Sequence, residues 1–157
     1  MIRTMDIKMI NPFLAAAMHV LKTMAQIEAK PGKPFLKKDD LALGDVSAII
    51  GITGAVQGSM ALIFAEDCIK DIASNLLGEP FTELNNEVRD AVGELANMIC
   101  GDARRRLAEG GFVLQAGIPT IVGGKGHTIM HVTTGPRLAV PFETSQGSFM
   151  VEVAFGG

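Results

Sequence analysis

The sequence predicts an α+β domain in which an antiparallel β-sheet carries helices packed on one face. The chain has 157 residues, of which 48% are hydrophobic, so residues 1–157 can bury the core of a single domain. Helical stretches, marked by apolar residues three and four positions apart, alternate with strand-like stretches. The strand-like stretches follow one another through short, hairpin-like connections, which favour antiparallel pairing.

The first predicted helix begins at Asn11-Pro12, which has the form of an N-cap followed by a first-turn proline. It runs to about Ile27 and ends before the proline- and glycine-containing stretch Lys30–Pro34. Its apolar residues form one buried stripe: Phe13, Leu14, Ala17, Met18, Leu21, Met24 and Ala25.

The stretch Val46–Ala65 contains no charge and is long enough to span a bilayer. Its glycines and β-branched residues favour a buried β-hairpin instead, with strands Leu43–Thr53 and Val56–Phe64 and a turn near Gly54-Ala55. Acidic residues flank the stretch on both sides, without the positive bias or the aromatic belt of a membrane segment. We therefore expect no membrane-spanning segment.

Two further helices follow the hairpin. Ala65–Leu77 is predicted as a helix with acidic residues in its first turn and Gly78 as its stop. A longer helix is predicted from about Glu83 to Glu109, and it ends at Gly110-Gly111.

Strands complete the predicted order. They are Phe112–Val122, Thr128–Thr133, Leu138–Phe142 and Ser148–Phe155. Because Pro119 has no N–H to donate to a sheet ladder, we expect it at an edge or a bulge. Each half of the chain then has a helix followed by strands, which indicates a duplicated architecture without a repeated sequence.

The composition excludes several classes of function. A net charge of −3 argues against binding to nucleic acid, whose phosphates favour a basic surface. Asp6 and Lys8 interrupt the N-terminal segment, so it does not resemble a secretory signal, and we expect a cytoplasmic protein. Cys68 and Cys100 lack the CxxC spacing of a zinc or redox site and are predicted to be reduced, buried thiols.

The helix predicted over residues 83–109 carries an unusual polar stripe opposite its core face. At about 100° per residue, the stripe comprises Glu87, Asp90, Glu94, Asn97, Gly101 and Arg104. Asp90 and Glu94 are like charges one turn apart, and Asn97 and Gly101 are weak helix formers. Locally unfavourable choices on one stripe indicate a surface that receives a partner, and Gly101 would allow that partner to approach closely. An ordinary solvated acidic stripe is the alternative.

The residues of this stripe resemble the signature of the CheC/CheX/FliY family of chemotaxis phosphatases. The signature is Asp or Ser, three residues, Glu, two residues, Asn, then 21 residues and Pro; Asp90, Glu94, Asn97 and Pro119 match it. The surrounding GELANMICGDARRRL and the earlier NPFLAAAMHVL are also similar to that family. The resemblance covers essentially the whole chain and implies a CheC/CheX-like pseudo-repeat of a helix followed by strands.

The resemblance also implies a function and a role for each matching residue. The substrate would be the aspartyl phosphate of a CheY-type response regulator, with Mg²⁺ bound in the regulator and with no metal or cofactor of this chain's own. Asn97 would orient the attacking water, and Glu94 would bind the regulator's active-site lysine. Asp90 and Pro119 would shape the surface around this pair.

One departure from the family pattern bears on the subclass. CheC and FliY members can carry a second motif on the first helix, but Ile10–Ile27 holds no Asp or Glu and cannot supply one. One site per chain resembles CheX, and that resemblance implies a homodimer formed through a strand edge.

Two other functions remain open at this point. The chain could be a non-catalytic module that binds a response regulator or serves in a flagellar switch. A small-molecule sensor is the other alternative, but only the loop Gly123–Gly126 favours it, and this loop lacks the spacing of a phosphate loop. His127 and His131 would share a strand face without an apparent third metal ligand, so we expect a solvated or hydrogen-bonded pair.

Overall fold

A computed structural model of the chain describes residues 4–39, 41–42, 44–129, 131 and 136–156. In these ranges the chain forms three helices and eight strands. The helices are α1 (Thr4–Ala25), α2 (Glu66–Leu77) and α3 (Asn86–Glu109). The strands are β1 (Lys30–Pro31), β2 (Phe35–Leu36), β3 (Val46–Gly54), β4 (Gly58–Phe64), β5 (Leu114–Ala116), β6 (Thr120–Gly123), β7 (Arg137–Thr144) and β8 (Gly147–Phe155).

All eight strands belong to one antiparallel sheet, as the sequence predicts. Its order is β1-β7-β8-β4-β3-β5, with β2 also pairing with β7 and β6 also pairing with β3. The predicted hairpin is confirmed, because β3 and β4 pair from Val46↔Phe64 to Ile52↔Gly58. Among the described residues, no helix is both long and apolar enough to cross a bilayer. The predicted duplication of the architecture is also visible in the element order, since α1 is followed by β1–β4 and α3 by β5–β8.

The three helices cover one face of the sheet, and the main core lies between them. Alternate residues of the central strands point into this core, for example Ile50 on β3 and Leu62 on β4, both fully buried. The ring of Phe13 on α1 packs against that of Phe155 on β8, with centroids 5.9 Å apart. Helices and sheet therefore form the two layers of an α+β domain.

The opposite face of the sheet is also buried, although no described helix covers it. A second apolar cluster lies there, formed by Ala42, Ala61, Ile63, Ile129, Ala139 and Met150. Ala42 and Ile129 come from the two irregular segments that cover this face, and the isolated bridge Leu41↔Thr128 joins those segments. The helices on one face confirm the prediction from the sequence, whereas this second buried layer was not predicted.

Two predicted boundaries are wrong. The helix α1 begins at Thr4, so Pro12 lies inside it and Asn11 is not an N-cap. The helix extends upstream because Met9 and Ile10 continue its buried stripe, and this packing outweighs the backbone hydrogen bond that proline cannot make. The predicted strand Phe112–Val122 is divided into β5 and β6, with residues 117–119 between them.

Other predictions near these elements are confirmed or remain open. Pro119 lies in the break between two edge strands, as its missing N–H predicts. Cys68 and Cys100 are free and buried. Burial raises the pKa of the Cys68 thiol to about 11, despite an opposing hydrogen bond with Thr144. Of the predicted strand Thr128–Thr133, several residues lie outside the described ranges, and the described ones form only the bridge at Thr128.

Candidate active site on the third helix

The helix α3 that carries the candidate site has well-defined ends. Asn85 is its N-cap, and its side-chain oxygen accepts a hydrogen bond from the backbone N–H of Val88 at 2.9 Å. After Glu109 the chain turns at Gly111, whose φ of 93° lies in the region that favours glycine. The apolar stripe is buried against the sheet and the other helices: Val88, Ala91, Val92, Leu95, Ala96, Ile99, Ala103 and Leu107. This packing fixes which face of α3 is left for solvent.

The opposite face of α3 is the polar ridge that the sequence predicts, which we define as Glu87, Asp90, Glu94, Asn97, Gly101 and Arg104. Its first four members are exposed, and Gly101 and Arg104 are partly exposed. Within the described part of the chain, no side chain or backbone group forms a hydrogen bond or ion pair with the side chains of Asp90, Glu94 or Asn97. These polar groups are therefore free to bind a partner.

Pro119 is brought to this ridge by the loop between β5 and β6. The helix residue facing it is Gly93, where an added Cβ would lie 3.7 Å from Pro119 Cγ and 3.4 Å from Ile121 Cδ1. Pro119 thus lies beside the helix position that precedes Glu94, although Pro119 and Glu94 are 25 positions apart in the sequence. Gly93 was not predicted to belong to the site. The signal that could have identified it is its place in the middle of α3, directly before the candidate carboxylate Glu94.

Gly101 leaves an open gap in the ridge. Among the described residues, no atom would lie within 4 Å of a Cβ built at this position, apart from the helix's own backbone and the chain neighbours of Gly101. The absence of a side chain is therefore not required by packing inside the molecule, although it costs helix stability. This geometry agrees with the interpretation that Gly101 leaves room for a partner.

The arginines that follow have structural contacts. Arg105 and Arg106 both bind Asp102, at 2.5 Å and 2.8 Å. Burial opposes ionisation of Asp102, but the hydrogen bonds from these two arginines outweigh it and lower the pKa of the carboxyl group. Arg104 donates to the backbone oxygen of Leu114 at 3.4 Å and so connects the end of the ridge to β5.

The two histidines considered as a metal pair are instead hydrogen-bonded on the second face of the sheet. His127 Nε2 lies 2.7 Å from Ser47 Oγ on β3. His131 contacts Ser59 on β4 and, through Nε2, Glu152 Oε1 on β8 at 3.1 Å. In the described ranges, no three His, Cys, Asp or Glu side chains are placed to hold a metal ion.

Glu152 is the centre of a buried ionic cluster, which we define as Lys37, His131 and Glu152. Each of the three side chains is at most 5% exposed, and Lys37 Nζ forms an ion pair with Glu152 Oε2. Burial alone would raise the pKa of Glu152, but the hydrogen bonds with His131 and Lys37 outweigh it, so the pKa lies below its ordinary value. The cluster connects the two covering segments to the middle of the sheet. It was not predicted from the sequence, because its members are far apart in the chain.

The fold of this chain, with its helices on one face of an antiparallel sheet, is also that of solved chemotaxis proteins. The chemotaxis protein CheX from Vibrio vulnificus has a solved structure and is 48% identical in sequence to this chain. The two structures align over 95% of this chain and 99% of the Vibrio chain, with a TM-score of 0.88. The CheX–CheY–BeF₃–Mg²⁺ complex from Borrelia burgdorferi is 29% identical, covers 94% of this chain and 97% of the matched chain, and has a TM-score of 0.81.

The sequence comparisons identify the family. The protein-family model described as chemotaxis phosphatase CheX matches residues 46–143, which is more than half of the chain. A curated relative, the CheY-P phosphatase CheX of Thermotoga maritima, is 28% identical over 122 residues, which are 77% of this chain and 79% of that protein. This chain belongs to the CheX family of chemotaxis phosphatases, and the predicted family and enzyme class are confirmed.

Proposed function

We propose that this protein accelerates hydrolysis of the aspartyl phosphate of a CheY-type response regulator. Membership of a chemotaxis phosphatase family supports the activity. The Borrelia relative was solved in a complex with CheY, and the Thermotoga relative is a CheY-P phosphatase, which together support the partner. The single observation that carries the proposal is the ridge of α3, where Glu94 and Asn97 are exposed one turn apart and their side chains form no hydrogen bond or ion pair with the described part of the chain.

Asn97 is the proposed catalytic residue. Its amide can accept a hydrogen bond from a water molecule and donate one to an oxygen atom, and it carries no charge that would repel the phosphoryl group. Such an amide can hold water in line with the phosphorus atom while the bond between phosphorus and the aspartyl oxygen breaks. Phosphoryl transfer depends mainly on this kind of positioning. The products are inorganic phosphate and the free aspartate of the regulator.

Glu94 is the proposed anchor of the complex. It lies three positions before Asn97 on the same helix face, so a group bound by Glu94 is placed next to the amide. A carboxylate suits the active-site lysine of the regulator, because a charge-assisted hydrogen bond is stronger than a neutral one. Asp90, Gly101 and Pro119 would form the surrounding docking surface. The Mg²⁺ that neutralises the phosphoryl charge would come with the regulator, and the complex of the Borrelia relative with CheY also contains Mg²⁺.

The alternative function is a non-catalytic module that binds a response regulator. Binding alone requires complementary charge and shape, and it gives no reason for a neutral amide next to the anchoring carboxylate. The pair Glu94 and Asn97 therefore favours the enzyme. Assembly as a homodimer and location in the cytoplasm stay predictions from the family resemblance and the sequence.

The test is the decay of phosphate from a CheY-type regulator of the same organism, with Mg²⁺, in the presence and absence of this protein. We expect the wild-type protein to accelerate the decay. The variant Glu94→Ala should lose both the acceleration and the binding, because it removes the anchor. Binding of the phosphorylated regulator without any acceleration would instead support the binding module.

Replacement of Gly101 by alanine should separate stability from docking. Alanine is the better helix former by about 1 kcal/mol, and the added Cβ points into open space, so the free energy of unfolding should rise by roughly 0.5–1 kcal/mol. The same methyl group should hinder the approach of the regulator and raise KM several-fold. Urea unfolding and steady-state dephosphorylation measure the two effects, and an unchanged KM would remove Gly101 from the docking surface.

A further inference from the structure

The loop between β5 and β6 exposes an apolar side chain next to the polar ridge. Ile118 is 89% exposed, more than any other large hydrophobic residue in the described part of the chain. Single exposed hydrophobic residues are common on protein surfaces, so this exposure alone indicates nothing. Two further features distinguish Ile118, namely its anchored backbone and its position next to the polar ridge.

The backbone that carries Ile118 is anchored on both sides. Gly117, immediately before it, donates its N–H to the carbonyl oxygen of Gly51 at 3.0 Å. The preceding Ala116 pairs with Ile52, and Thr120, two positions after Ile118, pairs with Ile49. Both partners lie on β3 in the sheet. A side chain presented from such a segment loses little backbone freedom on binding, so more of its contact free energy is available for affinity.

The position of Ile118 places it at the rim of the ridge. The adjacent Pro119 lies beside Gly93, and Gly93 precedes Glu94 in α3. The exposed members of the ridge are all polar, so the ridge itself offers hydrogen bonds and charge but no large apolar contact. Binding energy in protein interfaces is usually concentrated in a few apolar or aromatic anchors that exclude water around the polar contacts.

We propose that Ile118 is the apolar anchor for the receiver domain of the response regulator, packing against its surface next to the phosphorylated aspartate. This inference rests on the proposed function, since it assigns the same partner to the surface that is continuous with Glu94 and Asn97. The contact would exclude water from one side of the Glu94 interaction. Because Ile118 does not reach the reacting atoms, its contact is equally strong in the bound substrate and in the transition state. Its removal therefore raises KM and leaves kcat unchanged.

The experiment compares wild type with Ile118→Ala and with the control Leu77→Ala. Leu77 is also a large apolar residue, 48% exposed, but it ends α2 rather than flanking the ridge. Dephosphorylation is measured over a range of concentrations of phosphorylated regulator, and the dissociation constant is measured with the regulator activated by beryllofluoride and Mg²⁺. For Ile118→Ala we expect KM and the dissociation constant to rise roughly tenfold, the order expected when an interface anchor is truncated. We expect kcat to stay within about twofold of wild type, and Leu77→Ala to resemble wild type in all three quantities.

The outcomes separate this inference from the proposed function. Acceleration by wild type with an unchanged KM in Ile118→Ala would overturn the anchor and leave the phosphatase intact. A fall in kcat at constant KM would also overturn it, because the residue would then act in the transition state. If wild type binds the activated regulator without accelerating the decay, the phosphatase proposal fails, and the dissociation constants still decide whether Ile118 is an anchor. If wild type does not bind the activated regulator, both proposals fail.

Discussion

Replacing Asn97 by alanine is expected to return the decay of the phosphorylated regulator to its rate in the absence of this protein. The acceleration should fall by about 100-fold or more, since positioning of the attacking water is the main contribution that a phosphatase of this kind can make. Binding should be largely retained, because Glu94 and the rim of the ridge remain. The measurements are the decay rate and the affinity for the beryllofluoride-activated regulator.

The location of Asn97 means that its replacement should change the reaction without changing the fold. Its side chain is exposed and forms no hydrogen bond or ion pair with the described part of the chain, and alanine is the better helix former, so the variant should fold at least as stably as wild type. Asn86→Ala is a matched control, because Asn86 is an exposed asparagine at the start of the same helix, about 16 Å away along its axis. Full acceleration by Asn97→Ala would show that the amide has no role in the reaction.

Replacing Glu152 by alanine is expected to cause the largest loss of stability. The change leaves Lys37 and His131 in a buried site without the carboxylate that binds both of them. Breaking a buried ion pair by removing one partner typically costs about 3–5 kcal/mol. Urea unfolding at pH 7 measures the loss, and far-ultraviolet circular dichroism checks that the variant is folded.

An exposed ion pair provides the control. Asp67→Ala removes a carboxylate that pairs with Lys70, and the side chain of Asp67 is 92% exposed. Exposed ion pairs contribute only about 0–1 kcal/mol to the free energy of unfolding. If Glu152→Ala does not fold, the double variant Lys37→Met with Glu152→Met is the decisive measurement, because replacing both charges by apolar groups is often nearly neutral. A loss below about 1 kcal/mol in Glu152→Ala would mean that the cluster does not hold the covering segments in place.

The same cluster predicts how stability depends on pH. The pKa of Glu152 is lowered in the folded protein, so the unfolded chain binds the proton more tightly. The stabilisation is therefore complete above the ordinary glutamate pKa of about 4.3 and is lost as the pH falls through the lower pKa of the folded state. Unfolding curves between pH 7 and pH 3 should show a steeper loss of stability below pH ~4.3 for wild type than for Glu152→Gln.

The sequence was sufficient to predict the sheet, the order of its main elements and the family, because these depend on local patterns. The hairpin of β3 and β4 follows from glycines between β-branched runs, and the ridge of α3 follows from helical periodicity. The buried ionic cluster could not be predicted, since Lys37 and Glu152 are 115 positions apart and meet only when the sheet has formed. The start of α1 was missed for a related reason, because tertiary packing of Ile10 overrides the local signal of Asn11-Pro12.

The part of the candidate site that lies on one helix could likewise be predicted from the sequence. Asp90, Glu94, Asn97 and Gly101 lie on one helix, so their spacing alone places them on one face. Pro119 was assigned to the site by the family signature, and only the fold explains why, since the break between β5 and β6 brings it against Gly93. The exposure of Ile118 depends on that break and leaves no pattern in the sequence.

The two buried thiols have a practical consequence for studying the complex. With the pKa of Cys68 near 11, only about one molecule in ten thousand carries the reactive thiolate at pH 7, and burial likewise raises the pKa of Cys100. Alkylating reagents should therefore react with both native cysteines slowly. A cysteine introduced at an exposed position would be the preferred target, so fluorescent or spin labels can be attached around the ridge without first removing Cys68 and Cys100.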